Sequence, residues 1–129
     1  MMHIVIQNNS QASIYQQIYE QISIQIIEGL LKPDEPLPSI RVTAKALEIS
    51  VITVKKAYEL LELNGYIYTI KGKGSYVKRH TPEALNLKRY ETVKRILKEA
   101  MDACKEFSLS EEEVVSIVKQ LYNADKHQI

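Results

Sequence analysis

Residues 37–77 constrain this chain more than any other stretch: LPSIRVTAKALEISVITVKKAYELLELNGYIYTIKGKGSYV. Two short apolar patterns of helical period are separated by only Glu48-Ile49, and two β-rich runs follow, joined by Lys71-Gly72-Lys73-Gly74. Ser39 is a natural N-cap for the first of these helices, whose buried side is Ile40, Ala44 and Leu47. Ser50 caps the second. Its inward stripe is Val54, Ala57, Tyr58 and Leu61, while Lys55, Lys56, Glu59 and Glu62 face out. Asn64-Gly65 stops it, with Gly65 suited to a left-handed C′ position. Residues 66–70 and 75–77 read as strands around a glycine-bearing hairpin tip. The order is helix, turn, helix, wing: mainly α with a small β wing (α+β).

The parts on either side are simpler. His3-Ile4-Val5-Ile6 is either a brief edge strand or an arm. A helix is expected over 13–30, with Ile14, Ile18, Ile22 and Ile26 in a stripe widened by Tyr15, Tyr19, Ile27 and Leu30; Ser13 and Gln16 have capping-box spacing. Pro33, Pro36 and Pro38 make a rigid, extended connector. His80-Thr81-Pro82 is the one linker, which gives a head over 1–80 and a helical tail over 81–129. The tail holds a long helix over 82–106 and a last one starting at Ser110, where Glu113 completes a second capping box.

Net charge is only +1 over 129 residues, but its distribution is uneven. Residues 1–30 carry −2, residues 31–80 carry +4 and residues 81–129 carry −1. No acid lies between Glu62 and Glu83, where Lys71, Lys73, Lys78 and Arg79 fall. Cations gathered on one element are the footprint of a phosphate-binding surface. No apolar run approaches the roughly 18 residues that span a bilayer, and the N-terminus lacks signal-peptide features. A cytoplasmic protein with no membrane partner is the expectation. Cys104, the single cysteine, fits a reducing compartment and reads as a small apolar residue on a helix stripe. His3, His80 and His127 have no ligand spacing, so no metal is assigned and no cofactor is expected. No nucleophile motif, P-loop or paired-carboxylate arrangement is present, which argues against an enzyme.

In a helix-turn-helix the second helix enters the major groove with its N-terminal turns, where side chains reach bases and the helix dipole favours phosphate. The groove-facing set by position is Val51, Ile52, Thr53 and Lys55, with Lys56 at its edge. Thr53 can reach base edges or phosphate and Lys55 a guanine or phosphate, while Val51 and Ile52 suit thymine methyls. Arg41 and Ser39 open the preceding helix, and Lys71, Gly72 and Lys73 form a wing tip able to approach a neighbouring groove. Each residue alone is more often plain surface, but the combination is moderately specific. The competing reading is a winged helix used for protein or RNA contact.

The stretch resembles the GntR family of winged-helix regulators. Matching positions include Gly29, Leu31, Pro33, Leu37, Pro38, Ser39, Arg41, Ala44, Leu47, Ile49 and Ser50. They continue through Thr53, Val54, Ala57, Tyr58, Leu61, Gly65, Ile67 and the run Gly72, Gly74, Ser75, Tyr76, Val77. The resemblance implies DNA contacts from Arg41, Ser50, Thr53, Lys55 and Lys71-Gly72. Many members carry arginine where this chain has Val51, and Asp34-Glu35 replaces the family's usual Gly-Asp. The short tail is similar to that of the YtrA-like branch, whose members are dimers often linked to transporter operons. Two helices with one apolar face each cannot bury those faces within one chain. A homodimer is therefore expected, held by Tyr90, Val93, Leu97, Met101, Val114, Ile117, Val118 and Leu121. Together these imply a transcription regulator, a repressor in the first instance, on a palindromic double-stranded DNA operator, with any small-molecule effector unknown.

Overall fold

The computed structural model describes residues 2–10 and 12–126; His127 lies outside the described residues. Ser13 starts α1 (Ile14–Ile27) with the expected capping box, its Oγ accepting from the Gln16 amide while the Gln16 side chain accepts from the Ser13 amide. The helix ends three residues before the periodicity predicts. Gly29 takes φ +78, and the amides of Gly29 and Leu30 turn back onto the carbonyls of Ile26 and Gln25. That reversal leaves Leu30 exposed and brings Leu31 into the core in its place.

Residues 2–7 form an arm rather than a strand, held by side chains of α1. Gln21 donates to the Val5 carbonyl at 2.7 Å and accepts from the Val5 amide at 2.9 Å. Gln17 makes the same pair of bonds to Gln7, and Gln25 to His3. The match is metric: four helical residues rise about 6 Å and two extended residues advance about 6.6 Å. Three glutamines one turn apart therefore imitate a neighbouring strand, while Met2, Ile4 and Ile6 pack toward the core.

Ser39 caps α2 (Ile40–Leu47) and Ser50 caps α3 (Val51–Leu63), each Oγ accepting the amide three residues on at 3.1 Å. The predicted inward stripe of α3, Val54, Ala57, Tyr58 and Leu61, is buried against Ile18, Ile22 and Ile26 of α1. α3 closes as predicted, with Gly65 at φ +77 and Tyr66 N–H bonded to the Leu61 carbonyl. The Tyr58 hydroxyl donates to the Pro38 carbonyl at 2.8 Å and lies 3.0 Å from the buried Thr43 hydroxyl. Burial raises the Tyr58 pKa, and the Thr43 hydrogen bond pulls it back in part.

β1 (Ile67–Ile70) and β2 (Gly74–Val77) pair antiparallel with Ile67 opposite Val77 and Thr69 opposite Ser75. The proline connector lies along the free side of β2: Leu37 N–H reaches Ser75 O, and Val77 N–H reaches Glu35 O, both at 2.9 Å. Asp34 occupies φ +66, a left-handed conformation that glycine adopts freely. Its carboxylate accepts from Tyr68 at 3.0 Å and from Arg79 at 3.1 Å, while Glu35 caps the Lys32 amide. Asp34-Glu35 thus closes the loop by side-chain bonds.

The chain divides into two units between Arg89 and Tyr90. In the first, the opening turns of α4 (Pro82–Glu106) stay with the head: Lys88 donates to the Asn64 carbonyl at 2.9 Å and covers the Tyr66 ring. In the second, the rest of α4 turns through residues 107–110 into α5 (Glu111–Lys126), whose Ser110–Glu113 capping box forms as predicted. Cys104 is half-buried there.

Replacing Gln21 with Ala removes both bonds to Val5. At roughly 1 kcal/mol for the net loss, the arm is expected to lose amide-exchange protection at Val5 while the core amides of α3 keep theirs. Unchanged protection at Val5 would show that the apolar packing of Ile4 and Ile6 holds the arm alone.

Candidate nucleic-acid interface

The turn between α2 and α3 sets how α3 is presented. Glu48 adopts φ +56, and the Ile49 amide returns to the Ala44 carbonyl at 3.0 Å. The chain then re-enters a helix at Ser50, so the N-terminal turn of α3 stands at the surface.

Most of its polar groups already have partners. Ser50 Oγ accepts from the Thr53 amide and shares a 2.7 Å hydrogen bond with Thr53 Oγ1, which leaves one hydroxyl proton between the two side chains. Thr53 is half-buried. Lys55 leans toward Glu59 at 4.0 Å, an exposed pair worth well under about 1 kcal/mol that releases easily to a phosphate. Lys56, expected on the groove face, has its ammonium 4.1 Å from the centre of the Tyr15 ring and so lies toward α1. Val51 and Ile52 are the exposed apolar pair on this turn, Ile52 at 78% and Val51 at 46%.

Arg41 is exposed at the start of α2, and among the described residues no hydrogen bond or ion pair engages it. Its neighbour Ser39 is exposed but spends its hydroxyl on the cap. At the wing tip Lys73 N–H closes on the Ile70 carbonyl at 2.9 Å, with Gly72 at φ +80 in the third place of the turn, where a left-handed residue is needed. Lys71, Gly72 and Lys73 are all exposed. The acid-free run that flagged the tip also contains Arg79, but its bond to Asp34 is invisible to spacing because the two residues are distant in sequence.

In the second unit the eight residues expected at a dimer contact lie on α4 and α5, all exposed except half-buried Val114. Leu97, Met101, Val114 and Val118 line a groove of about 660 Å³ between the two helices, with Leu109 and Val115. No helix of the described chain is long and apolar enough to cross a membrane.

Comparison with known proteins agrees with this geometry. The sequence profile described as bacterial regulatory proteins, gntR family, matches residues 14–77, from α1 through β2. The chain is 34% identical over 96 residues to the HTH-type transcriptional repressor YtrA of Bacillus subtilis, an overlap covering 74% of each protein. A GntR family transcriptional regulator from Listeria monocytogenes has a similar structure, with TM-score 0.66, 26% identity and coverage of 87% of this chain and 97% of that one. So does AraR(DBD) in complex with operator ORX1, with TM-score 0.53 and 26% identity over 59% of this chain and 95% of the solved one.

Glu48→Gly is expected to raise the urea midpoint, by about 0.5–1 kcal/mol of stability, because it relieves a left-handed conformation that costs residues with a Cβ. A lower midpoint would mean that the Glu48 side chain supports the turn.

Proposed function

Because the chain belongs to the gntR family of bacterial regulatory proteins, in its short YtrA-like branch, we propose that it represses transcription by binding a palindromic DNA operator as a homodimer. The observation that carries the reading is the outward N-terminal turn of α3, flanked by an unengaged Arg41 and a basic wing tip. In this division of labour residues 1–80 bind DNA and residues 81–129 pair two copies. Arg41 and Lys55 take phosphates or guanines, Ser50 and Thr53 hold the helix start, and the Lys71-Gly72-Lys73 tip tracks the backbone beside the groove. Lys56 acts at longer range from its place over Tyr15. The genes controlled include a transporter operon, a role inferred from the branch.

The pairing of two copies is supported by the apolar faces of α4 and α5. Tyr90, Val93, Leu97, Met101, Ile117, Val118 and Leu121 are exposed on helices that contribute no buried residue among those described. Removing such a stripe from water stabilises association at roughly 25 cal/mol per Å² of apolar surface, and a two-fold axis lets one patch cover its own copy. The two α3 helices of such a dimer would face half-sites about 34 Å, one helical turn of DNA, apart.

Selection of bound duplexes from a random pool tests the reading. A two-fold-symmetric site is expected, with affinity that falls steeply as salt rises. Arg41→Ala should cost roughly 1–3 kcal/mol on that site, while Lys71→Ala and Lys73→Ala should weaken all duplexes comparably and each reduce the salt slope by about 1. Affinities unchanged in all three variants would remove this contact surface. Sedimentation at micromolar concentration should give a dimer that Leu97→Glu converts to monomer; a wild-type monomer would overturn the pairing.

A further inference from the structure

We infer that the leading turn of α3 reads thymine C5-methyl groups, through Ile52 and Val51, rather than the polar edges of bases. The inference rests on the operator-binding reading and specifies its chemistry. Three observations converge on it. The two side chains that project from this turn without a partner are apolar, Ile52 at 78% exposed and Val51 at 46%. The hydroxyls beside them are bonded to each other, Ser50 Oγ to Thr53 Oγ1 at 2.7 Å, and Ser50 also caps the Thr53 amide. Of the two lysines, Lys56 is drawn to the Tyr15 ring and Lys55 to Glu59.

The one methyl group in the major groove is the C5-methyl of thymine; cytosine has only a C5–H in its place, beside its N4 donor, and the purines present N7 with O6 or N6 as acceptors and donors. An isoleucine and a valine pressed against a donor or acceptor would strip its water and return no hydrogen bond, at a net cost. Against a methyl they cover apolar surface on both sides. The same pair therefore favours thymine and rejects cytosine at the positions it faces. Val51 stands one helical turn from Lys55, on the same face of α3, so Lys55 is placed to reach a phosphate flanking the base that Val51 covers.

The test uses the full-length protein and the duplex selected above. Each thymine of one half-site is replaced in turn by deoxyuridine, which deletes the methyl and leaves every hydrogen-bonding group in place. One or two positions are expected to lose about fourfold in affinity each, the equivalent of ~0.8 kcal/mol for one buried methyl-sized group. At those positions a 5-methylcytosine–guanine pair should bind more tightly than cytosine–guanine. Ile52→Ala or Val51→Ala should abolish the deoxyuridine penalty at its own position and leave the penalty at the other intact. Both residues are exposed, and an unchanged unfolding midpoint in each variant separates a lost contact from a lost fold. Uniform indifference to deoxyuridine in a wild-type protein that still selects a symmetric site would overturn methyl reading and leave operator binding standing. Persistence of the penalty in both variants would assign it to other residues and overturn the inference equally. Failure to select any duplex would overturn both readings.

Discussion

The Tyr58 hydroxyl is the constraint on which the geometry of the head depends. It projects from the buried side of α3, donates to the carbonyl of Pro38 in the connector, and meets the Thr43 hydroxyl of α2. One oxygen thus joins the three segments whose relative placement decides where α3 begins. A buried hydroxyl left without these partners would lose its water for nothing, so alternative crossings of α2 and α3 are penalised rather than merely less well packed. Around it the apolar contacts of Ile18, Ile22, Val54, Ala57 and Leu61 supply the bulk of the burial. Packing of that kind is tolerant of small rotations, and the hydroxyl is not.

Much of this fold was legible in the sequence because its punctuation is local. Ser13, Ser39, Ser50 and Ser110 each cap a helix at the expected place, and Gly65 holds the left-handed position assigned to it. Periodicity also marked the inner face of α3 without error. It failed at Leu30, because an apolar stripe carries no information about where a glycine reverses the chain; the reversal at Gly29 passes burial to Leu31. Partnerships between residues remote in sequence were not legible at all. Nothing in the spacing links Asp34 to Arg79, or Gln25 to His3.

The candidate interface was legible as a set of positions but not as a set of available groups. Residue type alone suggested a basic, hydroxyl-rich helix start. The geometry turns Lys56 to an aromatic face, ties Thr53 to Ser50, and leaves the aliphatic pair outermost. On the methyl-reading proposal, the departure at Val51 from the family's frequent arginine exchanges a charge that would seek guanine for a surface that seeks a methyl.

The arm held by Gln17, Gln21 and Gln25 has a consequence for what changes in length the chain can tolerate. Deleting one residue between His3 and Gln7 would put the arm residues on one side of the deletion out of phase, with their side chains turned the wrong way and the wrong peptide groups offered to the amides. Deleting two would restore the facing and the pairing together, because the match repeats every two arm residues. Length variation in this region is therefore confined to steps of two residues of arm, each matched to one turn of the helix.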